Sequence, residues 1–263
     1  MTRSTQRLPA IFIGHGSPTN ALEANVYTDA WAALGASLPR PKAIVAISAH
    51  WYTHGTCVTA NVVPPTIHDF GGFAPELYEA RYDAPGDPAL AAQLIADLQP
   101  TAVAARDDWG LDHGTWSVLR HTYPAADIPV VQLSIDATQP PAFHYALGQR
   151  LAQLRDQGVL VFGSGGIVHN LGRLSGPSNA AVPPWAQQFD ERVRALVLAG
   201  VHAPLIDYMT LTDGARLAVP TAEHYLPLLY VLATQQPGER ATFPCVGFEH
   251  GSISMTSVAI GAG

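Results

Sequence analysis

The chain has 263 residues, 48% of them hydrophobic and 13% charged, a balance that suits one large α/β domain over 1–263 with a core that needs no disulfide staple. A formal net charge of −7 excludes the clustered cationic surface that nucleic acid or an anionic membrane requires. The two cysteines, Cys57 and Cys245, form no CxxC pair, which argues against zinc–thiolate chemistry and fits a reducing, cytoplasmic compartment.

The opening segment, Met1 to Arg7, carries two arginines and runs into Leu8-Pro9 without the apolar stretch of a signal peptide. No run reaches the ~18 apolar residues of a membrane span. Short Ile- and Val-rich runs closed by Gly, His or Ser are how buried strands read, and they predict strands over Ala10–Ile13 and Ala43–Ser48. Pro64 to Pro88 has no core periodicity. Its Gly and Pro residues, with His68, Phe70, Phe73, Tyr78 and Tyr82, suit an ordered loop that walls a site. Beyond it the pattern predicts helices over Pro88–Leu98 and Trp116–Tyr123, a strand over Val130–Ile135, a helix over Pro141–Gln157 and a strand over Val159–Phe162. A second irregular stretch, Ser175 to Pro184, precedes helices over Pro184–Leu198 and Ala222–Thr234. Several helices open on proline, whose missing N–H costs nothing in a first turn. The alternation predicts a central mixed, largely parallel sheet flanked by helices on both faces.

Histidine carries the functional signal, with 11 copies. His15, His50 and His169 each follow a predicted strand, and ligands of open α/β sheets bind outside the carboxyl ends of strands. His224 opens an apolar helix, and His113 precedes another. A lone histidine after a strand is commonly a structural or solvated residue, but four such placements in one chain point to a shared metal site at those strand ends. Three neutral imidazoles hold a divalent ion and leave positions open for substrate, as in a catalytic site. For His54, His121, His144, His202 and His250 the structural reading is preferred. Phe162-Gly163-Ser164-Gly165-Gly166 resembles a nucleophile elbow but has Phe where G-x-S-x-G needs Gly. Gly14-His15-Gly16-Ser17-Pro18 lacks the Gly-Lys-Ser/Thr of a P-loop.

Seven short segments occur in an order that resembles the class III extradiol ring-cleavage dioxygenases, in their 4,5-DOPA-dioxygenase-like branch. They are Gly14-His15-Gly16-Ser17-Pro18, Ser48-Ala49-His50-Trp51, Ile67-His68-Asp69-Phe70-Gly71-Gly72-Phe73, Tyr82-Asp83-Ala84-Pro85-Gly86, Leu111-Asp112-His113-Gly114, Gly163-Ser164-Gly165 with His169-Asn170, and Glu223-His224-Tyr225. The resemblance runs nearly end to end. It implies that His15, His50 and His224 hold the metal, with His224 preferred to Glu223 as third ligand. It further implies His169 as acid/base, able to touch the metal in a resting form, and His113 as a substrate-orienting group. Fe2+ is the expected working metal and Zn2+ a competitor for occupancy, since first-row affinities favour zinc. The expected partners are a small aromatic diol and dioxygen, and the product a semialdehyde. Asp69 and Arg216 are charged residues that could meet an amino-acid head group. Rival functions for the same residues are a zinc hydrolase, which would consume no dioxygen, and an inactive metal-binding relative. A monomer or small homo-oligomer suits the length.

Overall fold

The computed structural model describes residues 7–262; the opening segment before Arg7 and the final residue of the predicted domain lie outside the described residues. The strands are β1 (Ala10–Gly14), β2 (Ala43–Thr53), β3 (Thr56–Thr59), β4 (Val103–Arg106), β5 (Val130–Asp136), β6 (Val159–Gly165), β7 (Ala241–Cys245), β8 (Phe248–Glu249), β9 (Ile253–Ser254) and β10 (Ser257–Ile260). β8 and β9 form a two-stranded ribbon, and the others build one eight-stranded sheet in the order β4-β3-β5-β2-β6-β1-β10-β7. At its centre β5, β2, β6 and β1 run parallel, while β10 is antiparallel to β1 and β3 to β5. The predicted mixed, largely parallel sheet is the one observed.

The helices are α1 (Val26–Ser37), α2 (Pro75–Glu79), α3 (Pro88–Asp97), α4 (His113–Thr122), α5 (Pro141–Asp156), α6 (Pro184–Leu198), α7 (Ala203–Ile206), α8 (Ala215–Ala218) and α9 (Leu226–Ala233). They cover both faces of the sheet, so alternate residues of one strand enter different cores. Ala10 and Phe12 of β1 pack with Leu90, Leu147, Phe189 and Leu228 from α3, α5, α6 and α9. Ile11 and Ile13 pack with Trp31, Leu34, Trp116 and Leu119 from α1 and α4. Burial on both faces is why these strands read as unbroken apolar runs.

Four sheet strands and four helices, α1, α2, α7 and α8, escape that reading. β3, β4, β7 and β10 are short and mix Thr, Ala or Ser with apolar residues; the last three residues of β4 are exposed at the sheet edge. α1 is set by a capping box, in which Asn25 accepts from Thr28 N–H at 3.1 Å and Thr28 Oγ1 accepts from Asn25 N–H at 2.9 Å. Two predicted helix starts shift: α4 begins earlier, at His113, where Asp112 caps Thr115 N–H at 3.1 Å, and α9 begins later, at Leu226.

The amino end of β1 is closed by Arg155, whose side chain is 0% exposed. Its guanidinium donates to the carbonyls of Leu8 at 2.6 Å and Thr234 at 2.8 Å, and forks onto Glu239 at 2.7 and 2.8 Å. Burial alone would raise the Glu239 carboxyl, but hydrogen bonds from Arg155 and Gln236 hold it below its ordinary value. A depressed carboxyl contributes stability above its unfolded pKa and loses it as pH falls through the folded one, so this pair supports the fold at neutral pH and weakens in acid. Arg155→Ala strands a carboxylate and three chain segments, and should cost about 3–5 kcal/mol in urea unfolding at neutral pH. A midpoint unchanged from the wild type would show that the pair contributes nothing net.

Candidate metal centre

The central strands deliver their histidines to one end of the sheet. His15 is the first residue after β1, His50 lies in the last turns of β2, and His169 follows β6 by a short bend. The His15 N–H donates to the Gly165 carbonyl at 3.1 Å, which fixes the end of β1 to the end of β6. His113 opens α4, and His224 sits in the turn before α9. That turn reaches the sheet because β6 ends in glycine: a Cβ at Gly165 would lie 2.1 Å from the His224 carbonyl oxygen. The same carbonyl accepts from Gly166 N–H at 2.8 Å. The elbow-like segment around Ser164 is therefore a seat for the His224 turn.

Ring contacts bring the five together. Centroids lie 5.0 Å apart for His15 and His50, 3.8 Å for His50 and His113, and 5.1 Å for His50 and His224. His169 stacks on His224 at 3.4 Å with the rings 4° from parallel. The candidate ligand atoms of His15, His50 and His113 all fall within 4.8 Å of one another.

The oxygens behind these rings decide which nitrogen is free. Ser164 Oγ donates to the Gly114 carbonyl at 2.5 Å, so toward His15 Nδ1, 2.9 Å away, it can only accept. Asp69 Oδ2 accepts from Nδ1 of His50 at 3.1 Å and of His113 at 3.0 Å, and Asp69 Oδ1 takes the His113 backbone N–H at 2.9 Å. Glu223 Oε1 accepts from His224 Nδ1 at 3.2 Å and from Thr221 Oγ1 at 2.7 Å. With Nδ1 of His15, His113 and His224 a donor in the neutral ring, their Nε2 atoms carry lone pairs, and His50 presents its Nε2 the same way when it is neutral.

This donor set fits a metal ion. The Nε2 atoms of His15 and His50 are 3.1 Å apart, a separation that two lone pairs hold only with a proton on one nitrogen or a cation beside both. Nitrogens bound to one ion at ~2.0–2.1 Å sit about 3 Å apart. The Nε2 of His224 is buried with no hydrogen-bond partner, which is costly unless a ligand takes it. Glu223 is turned to Nδ1 of His224 and is not on the cavity wall.

Electrostatics separate the rings. Burial, reinforced by the neighbouring imidazoles, drives His15 and His224 well below the ordinary histidine value. Burial and then His50 push His169 down to about 4, below the ~6.5 of a free histidine. Burial also lowers His113, against the pull of Asp69. His50 goes the other way: burial opposes its charged form, but the Asp69 hydrogen bond and the charges of Asp112, Asp69 and Glu223 prevail. Asp69 is held far below the carboxylate range, its burial outweighed by its bonds to His113 and His50.

These groups open on a cavity of about 380 Å³ whose wall includes His15, His50, His113, His169 and His224. Phe70, Phe73, Leu171, Leu174 and Ile253 supply its apolar lining, so the loop after Pro64 contributes a wall. Tyr82 does not: it is buried in the core and donates to the Tyr123 carbonyl at 3.0 Å. His68 faces the Ala80 carbonyl at 2.9 Å, and Tyr78 packs on Phe70. His121, His144 and His202 are tied to Asn20, Tyr230 and Tyr145, away from the cavity. His250 does line it, although its sequence context carries no motif. Asp69 is committed to two histidines, so it is no head-group partner, and Arg216 is absent from the wall. Glu249 and Ser164 gave no sequence signal as site residues.

An α/β sheet with a cluster of imidazoles at its strand ends, backed by oxygens and opening on an aromatic cavity, defines a metal-dependent enzyme for a small aromatic ligand. Residues 10–259 match the family described as the catalytic LigB subunit of aromatic ring-opening dioxygenase, and the chain belongs to that family. It is 52% identical over 262 residues to a 4,5-DOPA dioxygenase extradiol of Escherichia coli (strain K12), covering 98% of this chain and 96% of the relative. A 4,5-DOPA dioxygenase extradiol of Beta vulgaris is 36% identical over 253 residues, 94% of each chain. A crystal structure of an uncharacterized protein from Escherichia coli K12 is similar with a TM-score of 0.85 at 47% identity, covering 96% of this chain and 99% of that one. The chain is thus an oxidoreductase of the ring-opening dioxygenase class.

If Asp69 orients the rings, Asp69→Asn should weaken metal affinity by about 10–100-fold, read by competition with a chromogenic chelator. Unchanged affinity would mean that the rings are oriented without it.

Proposed function

We propose that this enzyme opens the ring of a catechol by extradiol cleavage, with DOPA or a related catechol as substrate, and that His15, His50 and His224 hold a single Fe(II). The observation that carries this reading is the set of Nε2 lone pairs facing one cavity, that of His224 buried and unpartnered. Zn(II) fits the same imidazoles and competes for occupancy. Bound Fe(II) supplies a redox-active centre through which electrons pass from the ring to dioxygen, which a redox-silent ion cannot do. Three neutral ligands leave the ion its full +2 charge and so favour a catecholate.

The chain's own residues do the rest. Phe70 and Phe73 hold the ring against the histidine wall. His113, its Nδ1 tied to Asp69, presents Nε2 to a catechol oxygen and orients it. His169 is neutral at pH 7 because burial holds it down to about 4, so it is ready to take a proton from a catechol hydroxyl. The catecholate then formed raises the imidazole again, and the proton is returned as the opened product forms. Within the same proposal the protein is a cytoplasmic monomer or small homo-oligomer. Both cysteines are free, and among the described residues no helix is long and apolar enough to cross a membrane.

Three expected outcomes separate the metal, acid/base and ligand roles. Enzyme stripped of metal and reloaded anaerobically with Fe(II) should consume dioxygen and give the yellow semialdehyde with L-DOPA, whereas Zn(II) should give neither. His169→Ala should lose this turnover while keeping most of its metal; surviving turnover would remove His169 from proton transfer. His224→Ala should release the metal and Glu223→Gln retain it, and the reverse pattern in a metal assay would exchange the third ligand.

A further inference from the structure

The cavity has a charged group that the reaction above leaves unused. Glu249, at the end of β8, is only 5% exposed, yet it stands on the cavity wall beside Gly16, Ser17 and His250. Its Oε2 lies so near the main chain after His15 that a Cβ at Gly16 would meet it at 2.7 Å. The carboxylate is held by neutral donors alone: the Asn20 amide at 3.4 Å and the Ser17 backbone N–H. Asn20 is itself pinned, donating to the His15 carbonyl at 3.3 Å and accepting from Asn25 at 2.8 Å. His250, the neighbouring group able to carry positive charge, has its Nδ1 toward the Gly176 carbonyl at 3.1 Å.

A buried carboxylate is expensive unless paired, and two oxygens offer about four acceptor positions, more than these neutral donors fill. Among the described residues, none on the cavity wall is a lysine or arginine. Burial raises the Glu249 carboxyl above its ordinary value, so a cation is what would hold it ionised; that cation has to come from the ligand, and the wall offers an anionic tail no comparable partner. We propose that Glu249 is a specificity residue that binds the protonated amine of an aminoalkyl catechol. The enzyme thereby prefers cationic or zwitterionic catechols to neutral and acidic ones. This rests on the catechol reading of the same cavity, and it adds what the tail of the substrate must carry.

The test is anaerobic calorimetry on the Zn(II)-loaded protein, which binds without turning over, using three ligands with one ring: dopamine, 4-methylcatechol and 3,4-dihydroxyphenylacetate. The wild type should bind dopamine about tenfold more tightly than 4-methylcatechol, as a charge-assisted hydrogen bond would give, and the acid most weakly. In Glu249→Gln the ratio of amine to neutral affinity should fall close to one. A residue that only braces the loop after His15 would change all ligands together and leave the ratio intact; that result overturns the proposal. Equal binding of the three by the wild type, or no binding of any, also overturns it and needs no variant that folds. Dioxygen uptake by the Fe(II)-loaded wild type with 4-methylcatechol tests the reaction separately. Amine-selective binding without uptake would sink ring cleavage and leave the Glu249 subsite standing.

Discussion

What fixes this active centre is the hydrogen bond behind each ring, from Nδ1 to an oxygen that can only accept. A neutral imidazole has one donor and one acceptor nitrogen, and the environment chooses which is which. Ser164 can accept from His15 only because its own proton is committed to the Gly114 carbonyl. Asp69 and Glu223, both carboxylates, leave His50, His113 and His224 no other tautomer. The ligand nitrogens are thereby set on the cavity wall before any ion arrives, and a bound cation would take the place of the proton that His15 and His50 otherwise share. The arrangement is preorganised in the sense that the protein, and not the ion, meets the cost of orientation.

That arrangement asks for rigidity, and the fold supplies it by separating its ends. At the amino end of β1, the buried Arg155–Glu239 fork ties together segments that surround the start of the sheet. At the carboxyl end, where the strands release their chains into loops, the polar groups are spent on orienting histidines. The seating of the turn before α9 on Gly165 joins the two demands, because the backbone contact that packs a helix on the sheet also sets the position of His224. A side chain at that position has no room, so the glycine is a requirement of the metal centre as much as of packing.

This division explains what could be read from the residues alone. β1, β2, β5 and β6 were legible because burial on both faces writes an unbroken apolar run, and the histidines at their ends were legible with them. β3, β4, β7 and β10 were not, since each is short, half polar and defined by its neighbours in the sheet. Glu223 adjoins His224, but the other polar groups around the site were illegible for a different reason: no local pattern marks a residue whose partner is distant. Ser164 lies 149 positions from His15, Asp69 lies 44 from His113, and Glu249 lies 229 from Asn20. Ser164 and Asp69 both lay in segments that carried the resemblance, but Ser164 was otherwise read as part of a failed nucleophile motif and Asp69 as a head-group partner, neither as the support of a histidine. Spacing could not propose a ligand set and resemblance could, because convergence of five separate segments is a property of topology.

The cavity is asymmetric in charge, and the asymmetry bears on how a substrate would be oriented. On one side stands the histidine wall, which with a divalent cation bound would attract the ionised diol. At Glu249 stands a carboxylate without a cation, and between them the lining is largely Phe, Leu and Ile. Apolar walls lower the local dielectric and strengthen both attractions. A ligand with an anionic diol at one end and a cationic tail at the other is held at both ends, in one direction only. Reversal would set the amine beside the ion and the diol beside the carboxylate, two like-charge encounters in a site that water screens poorly. On the proposed roles, orientation, which ring opening requires because the bond to be broken must lie beside the diol, would come from long-range charge as well as from contact with His113.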